Sequence, residues 1–185
     1  WRRVYGAGQN WCRAAPNEQA GCRMLRVILI LATVFSLAGC ASKFRSYDGP
    51  AVTWVVVNKG ARKMYLMHED QVLRSYDIGL GFAPEGHKQF EGDGKTPEGT
   101  YVINRRNPNS EFHLSLGISY PNGRDRAYAQ ARGRSPGGDI FIHGRPWKNR
   151  KGGRDWTAGC IAVPNRHIEE IYAMVRNGTP VTINP

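Results

Sequence analysis

The chain predicts a mainly β domain, a β-sandwich or open barrel with one or two short helices at its margin. Three observations carry that expectation. Short β-branched and apolar runs recur between turns rich in Gly, Asn and Pro, one segment has clear helical spacing, and no internal repeat or low-complexity tract interrupts the pattern. Residues 52–57 form the first run, Asn58-Lys59-Gly60 supplies a turn, and residues 62–67 return, so the pair reads as a hairpin. A third strand over 72–78 follows Glu69-Asp70. Residues 79–97 are rich in Gly and charge and read as a functional loop.

Strand character resumes over 99–103 and 112–118, with residues 104–110 as a polar turn between them. Residues 125–132 suit a short helix stopped by Gly133 and by Pro136-Gly137-Gly138, after which Ile140-Phe141-Ile142 reads as a central, buried strand. A basic, Gly-bearing loop over 144–155 leads to the segment around Cys160. The clear helix begins at Asn165 as its cap, carries Ile168, Ile171, Tyr172 and Val175 on one face, and ends at Asn177-Gly178. Residues 180–183 give a last short strand.

The N-terminal part reads differently. Met24-Leu25-Arg26 leads into an apolar run over 27–36, too short to span a bilayer and of the length of a signal-peptide core. It ends in Leu37-Ala38-Gly39-Cys40-Ala41-Ser42, which resembles the lipobox of bacterial lipoproteins. That resemblance implies a signal peptide over 24–39, lipid on Cys40 and a tether over 40–50, with the folded domain expected over 51–185. Residues 1–23 show neither periodicity nor a targeting pattern and are expected to be a non-native or mis-assigned extension. Ala41 after the lipidated position suits a periplasmic protein anchored in the outer membrane.

The sequence holds 26 Lys+Arg against 15 Asp+Glu, a formal net charge of +11. Such a balance suits an anionic partner, and export removes nucleic acid from the candidates. With Cys40 lipidated and Cys12 and Cys22 upstream of it, Cys160 has no disulfide partner, so a reactive thiol is flagged. His143 lies seventeen residues before it, directly after the buried strand. A thiol attacks carbonyls as the thiolate, and an imidazole can take its proton and later protonate a leaving amine. Gly159, lacking Cβ, lets the backbone turn and aim the Gly159 and Cys160 amides at a developing oxyanion, and Gly144 leaves room beside the base. A zinc site finds no support, because His68, His87, His113 and His167 lack the paired short spacings that structural zinc requires.

His143-Gly144 followed by Thr157-Ala158-Gly159-Cys160-Ile161 resembles the active-site signature of the L,D-transpeptidase (YkuD, ErfK) family. Gly92-Asp93-Gly94-Lys95-Thr96-Pro97-Glu98-Gly99-Thr100-Tyr101 is similar to its upstream hallmark, and Pro136-Gly137-Gly138-Asp139-Ile140 adds a third match. The resemblance implies a bacterial wall enzyme that needs no metal or organic cofactor. By that resemblance Cys160 would attack the carbonyl of an L-centre in a peptidoglycan stem peptide, release the terminal D-alanine, and pass the acyl group to an amine on another stem. His143 is then the base, oriented by the Gly144 carbonyl, and a carbapenem would acylate Cys160.

Two positions depart from the family pattern: Ala158 stands where common members carry His, and Ala162 where they carry Arg. These leave open an L,D-carboxypeptidase or amidase using the same dyad, and the basic surface by itself would also suit a non-catalytic peptidoglycan-binding module. Arg124 and Arg145, with Arg126, Lys148, Arg150 and Arg154, fall in segments expected to flank the site, where substrate carboxylates would meet them. Trp156 and Thr157 are the remaining candidate substrate contacts, the tryptophan walling the thiol pocket or packing in the core.

Overall fold

In the computed structural model, which describes residues 42–146 and 153–185, eight strands run in the spatial order β3-β2-β1-β8-β4-β5-β6-β7. They are β1 (Trp54–Asn58), β2 (Lys63–His68), β3 (Gln71–Asp77), β4 (Gly99–Asn107), β5 (Ser115–Ile118), β6 (Phe141–His143), β7 (Ile161–Ala162) and β8 (Pro180–Asn184). Two helices, α1 (Gly123–Gln130) and α2 (Asn165–Met174), accompany them. Residues 1–23, the signal segment, Cys40, Lys148 and Arg150 lie outside the described residues.

β1, β2 and β3 form an antiparallel meander in which alternate residues turn inward: Val55, Val57, Met64 and Leu66 are fully buried. β8 lies parallel to β1 on one side and antiparallel to β4 on the other. β4 serves two neighbours. Gly99 to Val102 pair with β8, the register then shifts between Ile103 and Arg105, and the second half pairs with β5. A bulge of this kind bends a strand, and here it turns the sheet a corner. The chain after β3 returns to the far end of the order, where Gly79 bridges to Ala162 and Gly81 to Thr157. The sheet thereby curls into a half-barrel, the mainly β architecture expected from the sequence.

Several local expectations need correction. Residues 104–107 extend β4 rather than forming a turn, and β5 starts only at Ser115, after His113 adopts a left-handed φ of 74°. Asn165 does not cap its helix: Pro164 occupies that position without a side-chain bond, and the Asn165 Oδ1 accepts the Arg145 amide at 2.7 Å. Residues 43–50, read as a tether, lie against the domain. Lys43 Nζ donates to the Pro108 carbonyl at 2.6 Å, Arg45 pairs with Glu169 at 2.8 Å, and Tyr47 packs on the core. Lys43–Pro185 accordingly forms one compact unit.

The helix α2 buries Ile168, Ile171 and Met174 against β5 and β6. Each such side chain contributes about 1.5–3 kcal/mol. That packing matters to function because β6 ends in His143.

Candidate active site

The buried strand β6 delivers His143 at its last position, opposite Ser115 of β5 and Ala162 of β7. Only 3% of the residue is exposed. Its Nδ1 lies 2.6 Å from the Gly144 carbonyl oxygen. A carbonyl can only accept, so Nδ1 carries the hydrogen and Nε2 is left with its lone pair to take a proton. The Phe112 ring, with its centroid 4.5 Å from that of the imidazole, and the Trp156 ring at 5.7 Å hold the imidazole plane. Gly144 is required by crowding: a Cβ there would lie 2.5 Å from Asn165 Oδ1 and 2.8 Å from the Phe112 carbonyl.

Cys160 ends a tight turn that feeds β7. The Thr157 hydroxyl donates to the Cys160 carbonyl at 2.7 Å and accepts the Gly159 amide at 3.2 Å, so one side chain ties both ends of the turn. Gly159 has φ 135°, and a Cβ on it would lie 2.6 Å from the Lys95 carbonyl. The thiol accepts from the Phe141 amide and donates to the Asp139 carbonyl, both at 3.4 Å. Cys160 and His143 line one cavity of about 430 Å³, with Phe112, Ser115, Phe141, Trp156 and Thr157 among its walls. A protected thiol and a one-sided imidazole in a shared apolar cleft are the parts of a covalent acyl-transfer site.

The profile of the YkuD L,D-transpeptidase catalytic domain matches residues 52–183. The chain belongs to this family. It is 34% identical over 108 residues to YafK of Escherichia coli K12, a match that spans 57% of this chain and 38% of that protein. Against YkuD of Bacillus licheniformis the identity is 29% over 131 residues, 71% of this chain and 65% of that one. Both relatives carry L,D-transpeptidase in their names. Among solved structures, the helical cell shape determining protein Pgp2 of Campylobacter jejuni superposes with a TM-score of 0.56 at 28% identity, covering 78% of this chain and 51% of Pgp2. The chain thus spans well under two thirds of the length of YafK.

In this YkuD domain the family hallmark over 92–101 is a strut behind the cysteine. The Asp93 carboxylate accepts the amides of Gln89, Phe90 and Lys95 and the Lys88 ammonium, at 2.7 to 3.1 Å. That closes the loop and aims the Lys95 carbonyl at Gly159. Thr96, fully buried, accepts the Gly81 amide at 3.2 Å, and the buried Lys59 ammonium donates to the carbonyls of Gly86 and Thr96 and pairs with Glu98 at 2.7 Å. A buried ammonium with three oxygen partners is satisfied, so this region is architectural rather than a reaction centre.

Not every expected site residue meets the thiol. Arg124 opens α1 and lines a separate depression with His87 and Asp125. Arg145 borders another depression with Arg154 and Ala162, its guanidinium 5.3 Å from the Trp156 ring centroid, so it touches the wall of the thiol cavity from behind. The Gly159 amide donates to the Thr157 hydroxyl at 3.2 Å in the resting site, so serving an oxyanion would require it to exchange that bond. Ala158 lines the cavity, whereas Ala162 is buried in β7 and faces the depression of Arg145 and Arg154. Phe112, Ser115 and Asp139 are cavity residues that sequence reasoning passed over; the left-handed Asp139, φ 55°, followed directly from no pattern.

Burial depresses the His143 pKa below the ordinary imidazole value, its bond to Gly144 opposing and the Arg145 charge reinforcing the shift. Burial likewise pushes the Cys160 thiol up, with the Phe141 amide opposing and Asp139 adding to the rise. Both shifts favour the neutral forms, a thiol and an imidazole lining one cavity. Among the described residues no group of three or more His, Cys, Asp and Glu side chains could hold a metal ion.

Proposed function

We propose that this chain is a cysteine-dependent L,D-transpeptidase acting on peptidoglycan stem peptides through an acyl-enzyme at Cys160. The observation that carries the reading is the cavity shared by Cys160 and an imidazole whose far nitrogen is already tied to the Gly144 carbonyl. Because both groups rest neutral, the proton moves during attack. His143 Nε2 takes the thiol proton as sulfur bonds to the carbonyl carbon of the L-centre, and the oxyanion gathers hydrogen bonds from the Cys160 amide. The intermediate collapses when the imidazolium returns the proton to the leaving D-alanine nitrogen, giving a thioester. An acceptor amine on a second stem then attacks, His143 removes its proton, and the thiol is released with a new amide bond.

The test is incubation with tetrapeptide muropeptides and excess acceptor, followed by mass analysis. Cross-linked dimers that vanish in Cys160→Ala, and fall nearly as far in His143→Ala, are the expected result. Tripeptide monomers alone would replace transfer by a carboxypeptidase or amidase reaction, and normal turnover by Cys160→Ala would remove the mechanism. A carbapenem should add its mass at Cys160. The likeness to Pgp2, whose name describes a determinant of helical cell shape, supports a role for this activity in cell shape. Lipidation at Cys40, and with it outer-membrane anchoring in the periplasm, completes the proposal; intact-mass analysis of membrane-extracted protein with an unmodified Cys40 would refute that part.

A further inference from the structure

Arg105, Gly117 and Phe141 stand in line across three neighbouring strands, Arg105 opposite Gly117 and Gly117 opposite Phe141. The middle position has no side chain, and the arginine uses that gap. A Cβ on Gly117 would lie 2.7 Å from Arg105 Nε, so any other residue there would stop the arginine from crossing β5. Having crossed, its guanidinium carbon lies 4.5 Å from the Phe141 ring centroid, a cation–π stack that fixes the plane of the fork. Phe141 itself lines the thiol cavity, and its amide donates to the Cys160 sulfur.

Among the described residues the guanidinium pairs with the Asp139 carboxylate, through a bond from Nη2 to Oδ1 of 2.8 Å. Both side chains are open to solvent, 49% exposed for Arg105 and 81% for Asp139. A pair so exposed contributes little stability and so exchanges readily. The backbone carbonyl of the same Asp139 accepts the Cys160 thiol at 3.4 Å. One residue therefore touches the nucleophile with its carbonyl and the guanidinium with its carboxylate, so a single residue, through contacts of 3.4 Å and 2.8 Å, reaches from one group to the other.

We infer that Arg105 forms a carboxylate subsite at the rim of the thiol cavity, and that the Asp139 side chain is an internal stand-in for a substrate carboxylate. The inference rests on the proposed stem-peptide chemistry and adds the group that reads it. A carbonyl under attack by Cys160 belongs to a residue whose successor ends in a carboxylate, one residue away, which is the spacing the guanidinium offers. The planar fork can receive that carboxylate with two parallel bonds where Asp139 makes one. Substrates ending in a free carboxylate at this position are thereby distinguished from amides and from longer peptides.

Isothermal titration of the full chain, with Cys160→Ala throughout to prevent turnover, tests the subsite. The ligands are the L-alanyl-γ-D-glutamyl-diaminopimelyl-D-alanine tetrapeptide as free acid and as its terminal amide. Without further change, the free acid should bind about ten- to a hundredfold more tightly than the amide. Arg105→Ala should abolish that difference, and Arg105→Lys should restore only part of it. Asp139→Asn keeps a residue that tolerates the left-handed backbone and removes the competitor, so the free acid should bind up to about fivefold more tightly. Were the ion pair merely structural, Asp139→Asn would weaken binding alongside Arg105→Ala, and that result overturns the inference. So does equal binding of acid and amide, or no binding of either. Because binding is read without turnover, inactivity of the unsubstituted Cys160 protein on muropeptides counts against the proposed function separately.

Discussion

Gly159→Ala tests whether the cysteine turn is held by the remote hallmark loop. The residue sits at φ 135°, outside the regions open to L side chains, and holding alanine there costs about 1–3 kcal/mol. The added methyl would lie 2.6 Å from the Lys95 carbonyl and 3.2 Å from Ile140 Cδ1. Relief requires the turn or the loop to give by about half an ångström, and Lys95 is fixed by the bond of its amide to Asp93 at 3.1 Å. The turn is the softer partner. Moving it stretches the 3.2 Å bond from the Gly159 amide to Thr157, at a cost of about 1 kcal/mol more. The total, about 2–4 kcal/mol, corresponds to a loss of roughly 5–15 °C in thermal midpoint. A displaced sulfur should also lose about a hundredfold in acylation rate. Thermal unfolding and mass-monitored acylation of Cys160 by a carbapenem read the two effects. A variant that melts within a degree or two of the parent and acylates normally would refute the reasoning.

Thr157→Val removes a hydroxyl that bonds at 2.7 Å to the Cys160 carbonyl and at 3.2 Å from the Gly159 amide; urea unfolding should show about 1–3 kcal/mol lost, with acylation slowed as well. Asp93→Ala leaves the Lys88 ammonium, itself only 3% exposed, bonded to the Phe90 carbonyl but without its carboxylate, and should cost about 3–5 kcal/mol in the same assay. Burial works to raise the Asp93 pKa, but its bonds from Lys88, Phe90, Gln89 and Lys95 hold it below the ordinary carboxyl value. That stability is complete above the ordinary 3.8 and is lost as pH falls through the depressed folded value, so acid titration of Asp93→Asn should lack this step. With burial lowering His143 and raising Cys160, kcat/KM should fall on the acid side with an apparent pKa below 6.5 and hold through neutrality to above the usual thiol range; an acid limb above 6.5 would contradict the neutral resting pair.

The strands of the meander were legible because Val55, Val57, Met64 and Leu66 alternate inward, which period-two patterning reports directly. His143 and Cys160 were legible for a different reason: a histidine after a buried strand and an unpaired thiol are unusual residues in their settings. What stayed hidden depends on distance in sequence. The bulge that carries β4 through Arg105 to Asn107 arises from pairing with two different neighbours, and no local run encodes it. The engagement of Gly159 by Thr157, and the diversion of Asn165 from its helix to the Arg145 amide, are choices among hydrogen-bond partners that become available only once the turn and helix are packed. Arg124 lines a depression with His87 and Asp125 rather than the thiol cavity, because the neighbours of a helix start are set by packing that no local run of sequence reports.

The position of β8 carries a consequence for biogenesis. β3, β2 and β1 lie on one side of it and β4 to β7 on the other, so residues 180–184 are the seam along which the two halves of the sheet meet. Every other strand is made before the seam exists. Until it docks, β1 and β4 each present a bare row of amides and carbonyls, templates for pairing with another chain. Its parallel pairing with β1 joins residues more than a hundred positions apart, a slow closure by its loop entropy. Assembly of the thiol cleft is therefore gated by the last of these eight strands in chain order, and a chain that stops short of residue 180 should aggregate rather than persist as a partial enzyme.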